Sequence, residues 1–370
     1  MASEKSELES RLVARIDEQG PLTFRDFMEA ALYDPHLGYY QTERLKIGPD
    51  GDFYTSSNVH PAFGAVLARA FVDLSSQLGG SDGVHTIVEM GAGTGRLAAD
   101  VLMGLRDRHP AFFQKVDYVI VEASEEMVMR ERELLAGFEG HVRWSNLAEL
   151  EIAPITGIFF SNELVDAMPV HRVRFTRSGI EEQYVTVRGG LALVWGAAST
   201  PRLMEYFERT GVTPAEGQIA EVNLDAIEWL ARASRAIQRG FLITVDYGDV
   251  SPLLYAVGRE KGTVRSFYKH QLIDSPLERV GEQDITASVN FSALMEYGRQ
   301  ADLETVSYER QVAFLLRMGL VELIEEREDK SPSREEVAER LALKNLFVPG
   351  GVSDNFRVLV QRKVSRLGGQ

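Results

Sequence analysis

The run Val88-Glu89-Met90-Gly91-Ala92-Gly93-Thr94-Gly95 decides the fold. Upstream, Val84–Met90 is an apolar, β-prone segment, and downstream Leu97–Leu105 spaces its apolar residues as one face of a helix. The stretch therefore reads as strand, glycine turn, helix. Glycine tolerates positive φ and lets a ligand lie close to the backbone, while the first turn of the helix points its N–H groups toward that ligand. Arg96 stands where the dinucleotide pattern G-x-G-x-x-G requires its last glycine, so the loop carries no pyrophosphate fingerprint.

Two acids frame this loop. Glu89, just before it, is placed for the amino group of a methionine-like tail. Val116–Val121 reads as the next buried strand, and Glu122 at its end can accept hydrogen bonds from both hydroxyls of a ribose. Such a pair repels phosphate but suits S-adenosylmethionine, which has a ribose and an amino-acid tail and no phosphate. Glu125–Leu135 then reads as a helix and Val142–Trp144 as a short strand, after which Asn146 and Leu147 stand where an adenine ring is expected to lie. For the glycines alone, the competing reading is a tight βα turn and nothing more.

The alternation continues outward. Gly157–Phe160 and Phe241–Val245 read as the fourth and fifth strands, and Leu303–Ser307 and Phe356–Val360 as two more. Strands alternating with helices imply an α/β protein with a largely parallel, Rossmann-like sheet of about seven strands. Val170–Ala198 interrupts the pattern with short β-like runs broken at Ser178-Gly179 and Gly189-Gly190, an antiparallel insertion, and a helical stretch over Glu221–Gln238 leads back to the core. Near the N-terminus, Leu8–Ile16 has helical spacing, and Thr23 is a cap for a second helix with Phe24, Phe27, Met28 and Leu32 on one side. The turn-rich Asp34–Ser57 follows, a loop whose Tyr39, Tyr40, Phe53 and Tyr54 argue for order. The organisation expected is an N-terminal helical segment and lid over 1–80, then the catalytic domain over 81–370 with an accessory insertion at about 171–238.

Composition narrows the partners. The 370 residues are 44% hydrophobic and 26% charged, as in ordinary globular proteins. Forty Lys and Arg against 55 Asp and Glu give a formal charge of -15, which disfavours a nucleic-acid substrate. With no cysteine, disulfides, thiolate metal sites and cysteine nucleophiles are excluded. Apolar runs such as Gly240–Val245 and Leu191–Trp195 are too short to cross a bilayer. The glutamate-containing N-terminus resembles neither a signal peptide nor a transit peptide, so a cytoplasmic, bacterial setting is expected.

Several longer motifs then resemble one family, MidA. They are Phe24-x-x-Phe27-Met28, Ala31-Leu-Tyr-Asp-Pro-x-x-Gly-Tyr-Tyr40, Gly51-Asp-Phe-x-Thr-Ser56 and Ser161-Asn-Glu-x-x-Asp-Ala-Met-Pro-Val170. Asp246-Tyr-Gly248, Gly262-Thr-Val-Arg265 with His270, Asp284-Ile-Thr-Ala-Ser-Val-Asn-Phe291 and Gln311-x-x-Phe-Leu-Leu-x-x-Gly319 extend the resemblance over nearly the whole chain. It implies a class I methyltransferase fold with S-adenosylmethionine as cofactor. For the mitochondrial members it implies symmetric dimethylation of an arginine in a subunit of respiratory complex I, and hence a protein partner presenting an arginine. The departures are small: Gly-Ala-Gly where a proline is frequent, and Met168 and Val264 where leucine is usual.

Chemistry points independently to Asn162, Glu163 and Asp166, which follow the fourth strand at the carboxyl edge of the sheet. An arginine is protonated at physiological pH, so methylating it requires carboxylates that pair with the guanidinium and direct a nitrogen lone pair. Glu163 and Asp166 share a face if the segment is helical. Equally, Asn162 could cap that short helix, with the acids favouring its first turn. Asp52, Thr55 and Ser56 look like a lid over the cofactor, with Tyr39 and Tyr40 as apolar walls or as glue for the loop. Asp246 and Tyr247 are further expected substrate contacts, and His270 is a proton acceptor, a substrate contact or a structural hydrogen-bonding residue. No metal centre is expected, and a homodimer is left open. Two other readings stand beside this one: a small-molecule O- or N-methyltransferase, and a cofactor-binding assembly factor acting mainly through protein interaction.

Overall fold

The computed structural model describes residues 6–41, 61–79, 83–269, 271–325 and 355–364. Helix α1 (Glu7–Gln19) starts where Ser6 Oγ accepts the Glu9 N–H at 3.0 Å, and it buries Leu8, Leu12 and Ile16. After β1 (Leu22–Thr23), Thr23 caps α2 (Phe24–Tyr33) through the Asp26 N–H, and Phe24, Phe27, Met28 and Leu32 are all buried, as their spacing predicts. Helix α3 (Ala62–Ser76) precedes the strand–helix alternation of β2 (His85–Met90), α4 (Arg96–Arg108), β3 (Val116–Val121), α5 (Glu125–Leu134), β4 (Val142–Ser145), α6 (Leu147–Ile152) and β5 (Ile155–Asn162).

The insertion holds more structure than the pattern suggests. It runs through β6 (His171–Thr176), β7 (Gly179–Val187), β8 (Leu191–Ala197), α7 (Arg202–Thr210), β9 (Ile219–Val222) and α8 (Leu224–Arg235). The helix expected over Glu221–Gln238 is therefore shorter at both ends. Ile219–Val222 is drawn into a strand because it pairs antiparallel with β6, Ala220 opposite Val173, and Asn223 Oδ1 then caps the helix through the Ala226 N–H. At the far end Ile237 already begins β10 (Ile237–Asp249). The chain finishes with β11 (Arg265–Tyr268), β12 (Gln271–Ile273), β13 (Asp284–Thr286), β14 (Val289–Asn290), α9 (Phe291–Gln300), β15 (Leu303–Arg310), α10 (Gln311–Arg317), α11 (Leu320–Glu325) and β16 (Phe356–Lys363).

These elements form two compact units. The catalytic unit spans Tyr54–Leu164, Leu230–Tyr247 and Tyr297–Gln370, and the accessory unit Met1–Phe53, Val165–Trp229 and Gly248–Glu296. A boundary near residue 80 does not describe this arrangement. Helix α3 belongs with the sheet, whereas α1 and α2 bury their apolar faces with Val170, Val185, Ile285 and Ala287 in the accessory core.

In the catalytic unit the strand order is β15-β16-β10-β5-β2-β3-β4. Neighbouring pairs from β4 to β10 are parallel, and β16 lies antiparallel between β10 and β15. This is the class I methyltransferase fold. Ile87, Tyr118, Ile120, Ile158 and Phe160 meet α3 and α4 across one core. Those two helices cross closely because Gly64 and Gly104 have no side chains: a Cβ on Gly64 would fall 2.5 Å from the Asp100 Cβ, and one on Gly104 2.9 Å from the Ala65 Cα. The accessory unit is built on a five-stranded sheet, β1-β7-β6-β9 with β8 on β7, and a three-stranded one, β12-β11-β13. Its one deeply buried arginine, among the described residues, is paired throughout: Arg172 donates to Glu221 Oε1, Gln183 Oε1 and the Lys261 carbonyl.

Candidate active site

Parallel strands end at one edge of a sheet, so the topology collects the tips of β2, β3, β4, β5 and β10 together. At the tip of β2 the Gly91 N–H donates to the Val121 carbonyl at 3.0 Å, and the Gly95 N–H closes a tight turn on the Ala92 carbonyl at 2.9 Å. Gly91, Gly93 and Gly95 all have positive φ, at 77°, 59° and 76°. Gly95 is the residue before α4, and no side chain caps that helix. Its first N–H groups therefore face the loop, as a ligand cradle requires.

The donor set fits S-adenosylmethionine. Glu122, at the end of β3, has its Oε1 held by the N–H groups of Ala123 and Ser124 at 2.8 and 2.9 Å, which fixes the carboxylate at the rim beside the loop. Glu122→Gln keeps an acceptor for those two amides and removes only the charge. We expect it to weaken cofactor binding by about 1–2 kcal/mol, the scale of a charge-assisted bond to a ribose. Calorimetric titration checks this, and an unchanged dissociation constant would remove Glu122 from the site.

Glu89 sits differently from the sequence expectation. Strand alternation places it on the same face as the core residue Ile87, leaving it 1% exposed, and its Oε2 accepts the Tyr118 hydroxyl at 2.6 Å. It thus lies behind the loop, not over it. Burial pushes its carboxyl up to about 7, against the Tyr118 hydrogen bond, with Glu122 adding repulsion. A further acid that the sequence reading passed over packs against the same loop. Glu131, on α5, is fully buried, accepts the Trp144 indole N–H at 2.7 Å through Oε2, and packs its Cα 3.3 Å from where a Cβ on Gly95 would stand. Burial raises it to about 8, opposed by the Trp144 hydrogen bond and reinforced by Glu122 and Glu89. At the tip of β4, Asn146 caps α6 through the Glu149 N–H at 3.0 Å, and Leu147 is buried.

The segment after β5 is not a helix. Glu163 has φ 52°, a left-handed conformation that a non-glycine residue rarely adopts, so it neither shares a helical face with Asp166 nor follows a capped first turn. The conformation is held from both sides. The Glu163 N–H donates to the Val245 carbonyl at 2.9 Å, and Asn162 Nδ2 donates to Glu163 Oε1 at 3.2 Å. Asn162 itself is buried, and its Oδ1 has no hydrogen-bond partner among the described residues. Next along the chain, the Leu164 Cδ1 lies 2.9 Å from where a Cβ on Gly91 would be. The Asn162–Leu164 segment is therefore packed directly against the glycine loop. At the tip of β10, Asp246 is fully buried with Oδ1 accepting the Tyr247 N–H, and the Tyr247 ring packs edge-on to Phe356 at 5.8 Å.

The accessory unit brings Tyr39, Tyr40 and Asp166 into one cluster. Tyr39 is buried in its core, edge-on to Tyr40 at 5.1 Å. The Tyr40 ring stacks obliquely on Tyr33 at 5.4 Å, and its hydroxyl donates to Asp284 Oδ1 at 2.9 Å. Tyr33 donates to the Ala167 carbonyl, and the Asp166 carbonyl accepts the Ala287 N–H at 2.9 Å, so the 165–168 and 284–287 segments are clamped together. Burial, then the charge of Asp284 and more weakly that of Asp166, pushes the Tyr40 hydroxyl well up. Asp284 and Tyr33 are the site residues that sequence reasoning missed, although both lie inside motifs quoted above. Asp52, Thr55, Ser56 and His270 lie outside the described residues.

Comparison with known proteins agrees with this geometry. A family model described as "Putative S-adenosyl-L-methionine-dependent methyltransferase" matches residues 66–309. The chain is 29% identical over 344 residues to the protein arginine methyltransferase NDUFAF7, mitochondrial, of Rattus norvegicus, covering 84% of this chain and 73% of that one. Against the Homo sapiens protein of the same name it is 27% identical over 340 residues, covering 84% and 72%. The crystal structure of a candidate methyl transferase from Burkholderia thailandensis, bound to S-adenosyl-homocysteine, superposes with a TM-score of 0.87 at 29% identity, covering 96% of this chain and 91% of that one.

Proposed function

The chain belongs to the MidA family of S-adenosylmethionine-dependent methyltransferases, and from that premise we propose that it methylates an arginine side chain of a protein. The observation that carries the proposal is the left-handed Glu163, fixed at the tip of β5 beside the glycine loop. Backbone strain of about 1–3 kcal/mol is retained where it aims a functional group. The relatives named as protein arginine methyltransferases support the same substrate class.

When bound, S-adenosylmethionine supplies an electrophilic methyl group. The rest falls to the chain. A guanidinium keeps its proton throughout the physiological range, so its nitrogen becomes nucleophilic only where carboxylates pair with the cation and take up the departing proton. Glu163, oriented by Asn162, is the acid beside the loop. Asp166, three residues further along the chain, is the second carboxylate of the proposed pair. Symmetric dimethylation of a respiratory-complex subunit is the specific outcome we propose.

The test is product analysis. Extract from cells lacking the gene is incubated with the purified protein and isotope-labelled S-adenosylmethionine, and the products are read by mass spectrometry. Label on dimethylarginine of a protein is the expected result. Label confined to small molecules would overturn the arginine reading while leaving the methyltransferase assignment in place.

A further inference from the structure

Behind the cofactor loop lies a buried polar group that the transfer reaction does not use. Glu89 on β2 and Glu131 on α5 are both withdrawn from solvent, at 1% and 0% exposure. Tyr118 on β3 donates to Glu89, and Trp144 on β4 donates to Glu131. The second oxygen of Glu131, Oε1, has no hydrogen-bond partner among the described residues. Arg132 places its guanidinium 4.3 Å over the Trp144 ring. The groups acting on the acids from the packed elements are Tyr118 and Trp144, both neutral, Glu122, an anion, and Arg132, whose charge opposes the rise at Glu131 less than burial drives it. No lysine or arginine is hydrogen-bonded to either acid among the described residues.

We propose that Glu89 and Glu131 form a proton-holding pair that distinguishes the cationic cofactor S-adenosylmethionine from its neutral-sulfur product S-adenosylhomocysteine. Desolvation disfavours the charged form of each carboxylate, and an oxygen with no donor is better accommodated as a hydroxyl. The raised positions of both acids, about 7 and about 8, put their titration in the physiological range. Because Glu131 packs against Gly95, the charge of the pair bears directly on the glycine loop. A sulfonium bound at the loop favours the ionised form, so its binding expels a proton to the solvent. The product has lost that positive charge with the methyl group and has much less reason to expel one. The sign follows from linkage: a ligand whose binding releases protons binds more tightly as pH rises. Cofactor affinity therefore rises across pH 7–8, product affinity changes little, and turnover is helped because the spent cofactor is held less selectively.

The inference rests on the cofactor assignment and is tested separately from it. S-adenosylmethionine and S-adenosylhomocysteine are titrated calorimetrically into the full-length protein in two buffers of different ionisation heat, and the buffer dependence of the enthalpy gives the protons released. The expected result is net release with S-adenosylmethionine well above that with S-adenosylhomocysteine, and an affinity gain for the former of about tenfold between pH 6.5 and 8.5. Glu131→Gln keeps an acceptor for Trp144 and removes the titrating acid, so it should abolish most of the excess release. Each ligand's own amino group contributes equally in both proteins and cancels in that comparison. Should Glu131→Gln fold poorly, Glu89→Gln serves the same purpose, retaining an acceptor for Tyr118. Equal proton release in wild type and a folded variant, or equal release for the two ligands, overturns the inference. Failure of either ligand to bind at all would instead overturn the cofactor assignment.

Discussion

In a Gly93→Val variant, S-adenosylmethionine binding should weaken by at least a hundredfold, about 3 kcal/mol, while the protein still unfolds cooperatively. Gly93 has φ 59°, and a β-branched residue there is a true conformational outlier. The strain costs about 1–3 kcal/mol, a fraction of the roughly 5–15 kcal/mol that holds a typical domain together. Binding should suffer more than folding because relieving the strain flips the backbone and redirects the N–H groups that face the loop. Gly189→Val is the matched control: φ is 74° at a turn of the accessory sheet, and a Cβ would meet nothing within 4 Å. It should lose some stability and bind cofactor as the wild type does. Calorimetry alongside thermal melting decides. Near-normal affinity in Gly93→Val would show that the loop does not cradle the cofactor.

The second large effect concerns transfer without binding. Glu163→Gln and Asp166→Asn should each leave cofactor affinity within about twofold of wild type and lower single-turnover methylation of an arginine substrate by about 10²–10³, the loss typical of one electrostatic contact made in the transition state. Both replacements preserve shape. Gln at 163 still presents an oxygen to Asn162, and the backbone bonds of Glu163 to Val245 and of Asp166 to Ala287 do not involve the side chains. What is lost is the charge that pairs with a guanidinium. If both variants methylate a protein arginine at the wild-type rate, the acids are structural, and the carboxylate mechanism fails.

The parts of this molecule that were readable in the sequence share a cause. The turn at Gly91–Gly95, the Thr23 cap and the sheet strands are local: chemistry and conformation lie within a few residues of each other, so pattern suffices. The parts that were not readable depend on distant partners. Glu221 and Val222 look helical until β6 offers Ile219–Val222 an edge to pair with. Glu163 gives no sign of its left-handed turn, because the carbonyl that holds it belongs to Val245, and Pro169 ends the segment before a helix could establish itself. Tyr40 and Asp284 meet across 244 positions. Glu131 stands among the charges of Glu125–Leu134, the ordinary appearance of a solvated helix face, and only the position of Trp144 makes it interior. Both Asp284 and Glu131 required the fold before their burial and their partners could be seen.

The strand order has a consequence for how the chain comes to be folded during synthesis. Strand β16 lies between β10 and β15, yet both neighbours leave the ribosome before it does. Until it arrives, β10 from Phe241 to Tyr247 offers an open row of backbone donors and acceptors to any other strand within reach. The catalytic sheet thus cannot be completed outward from a nucleus in the order in which it is made. Its closing step is an insertion, with contacts of long sequence separation formed late, the situation in which folding is slow and nascent chains most need protection from one another.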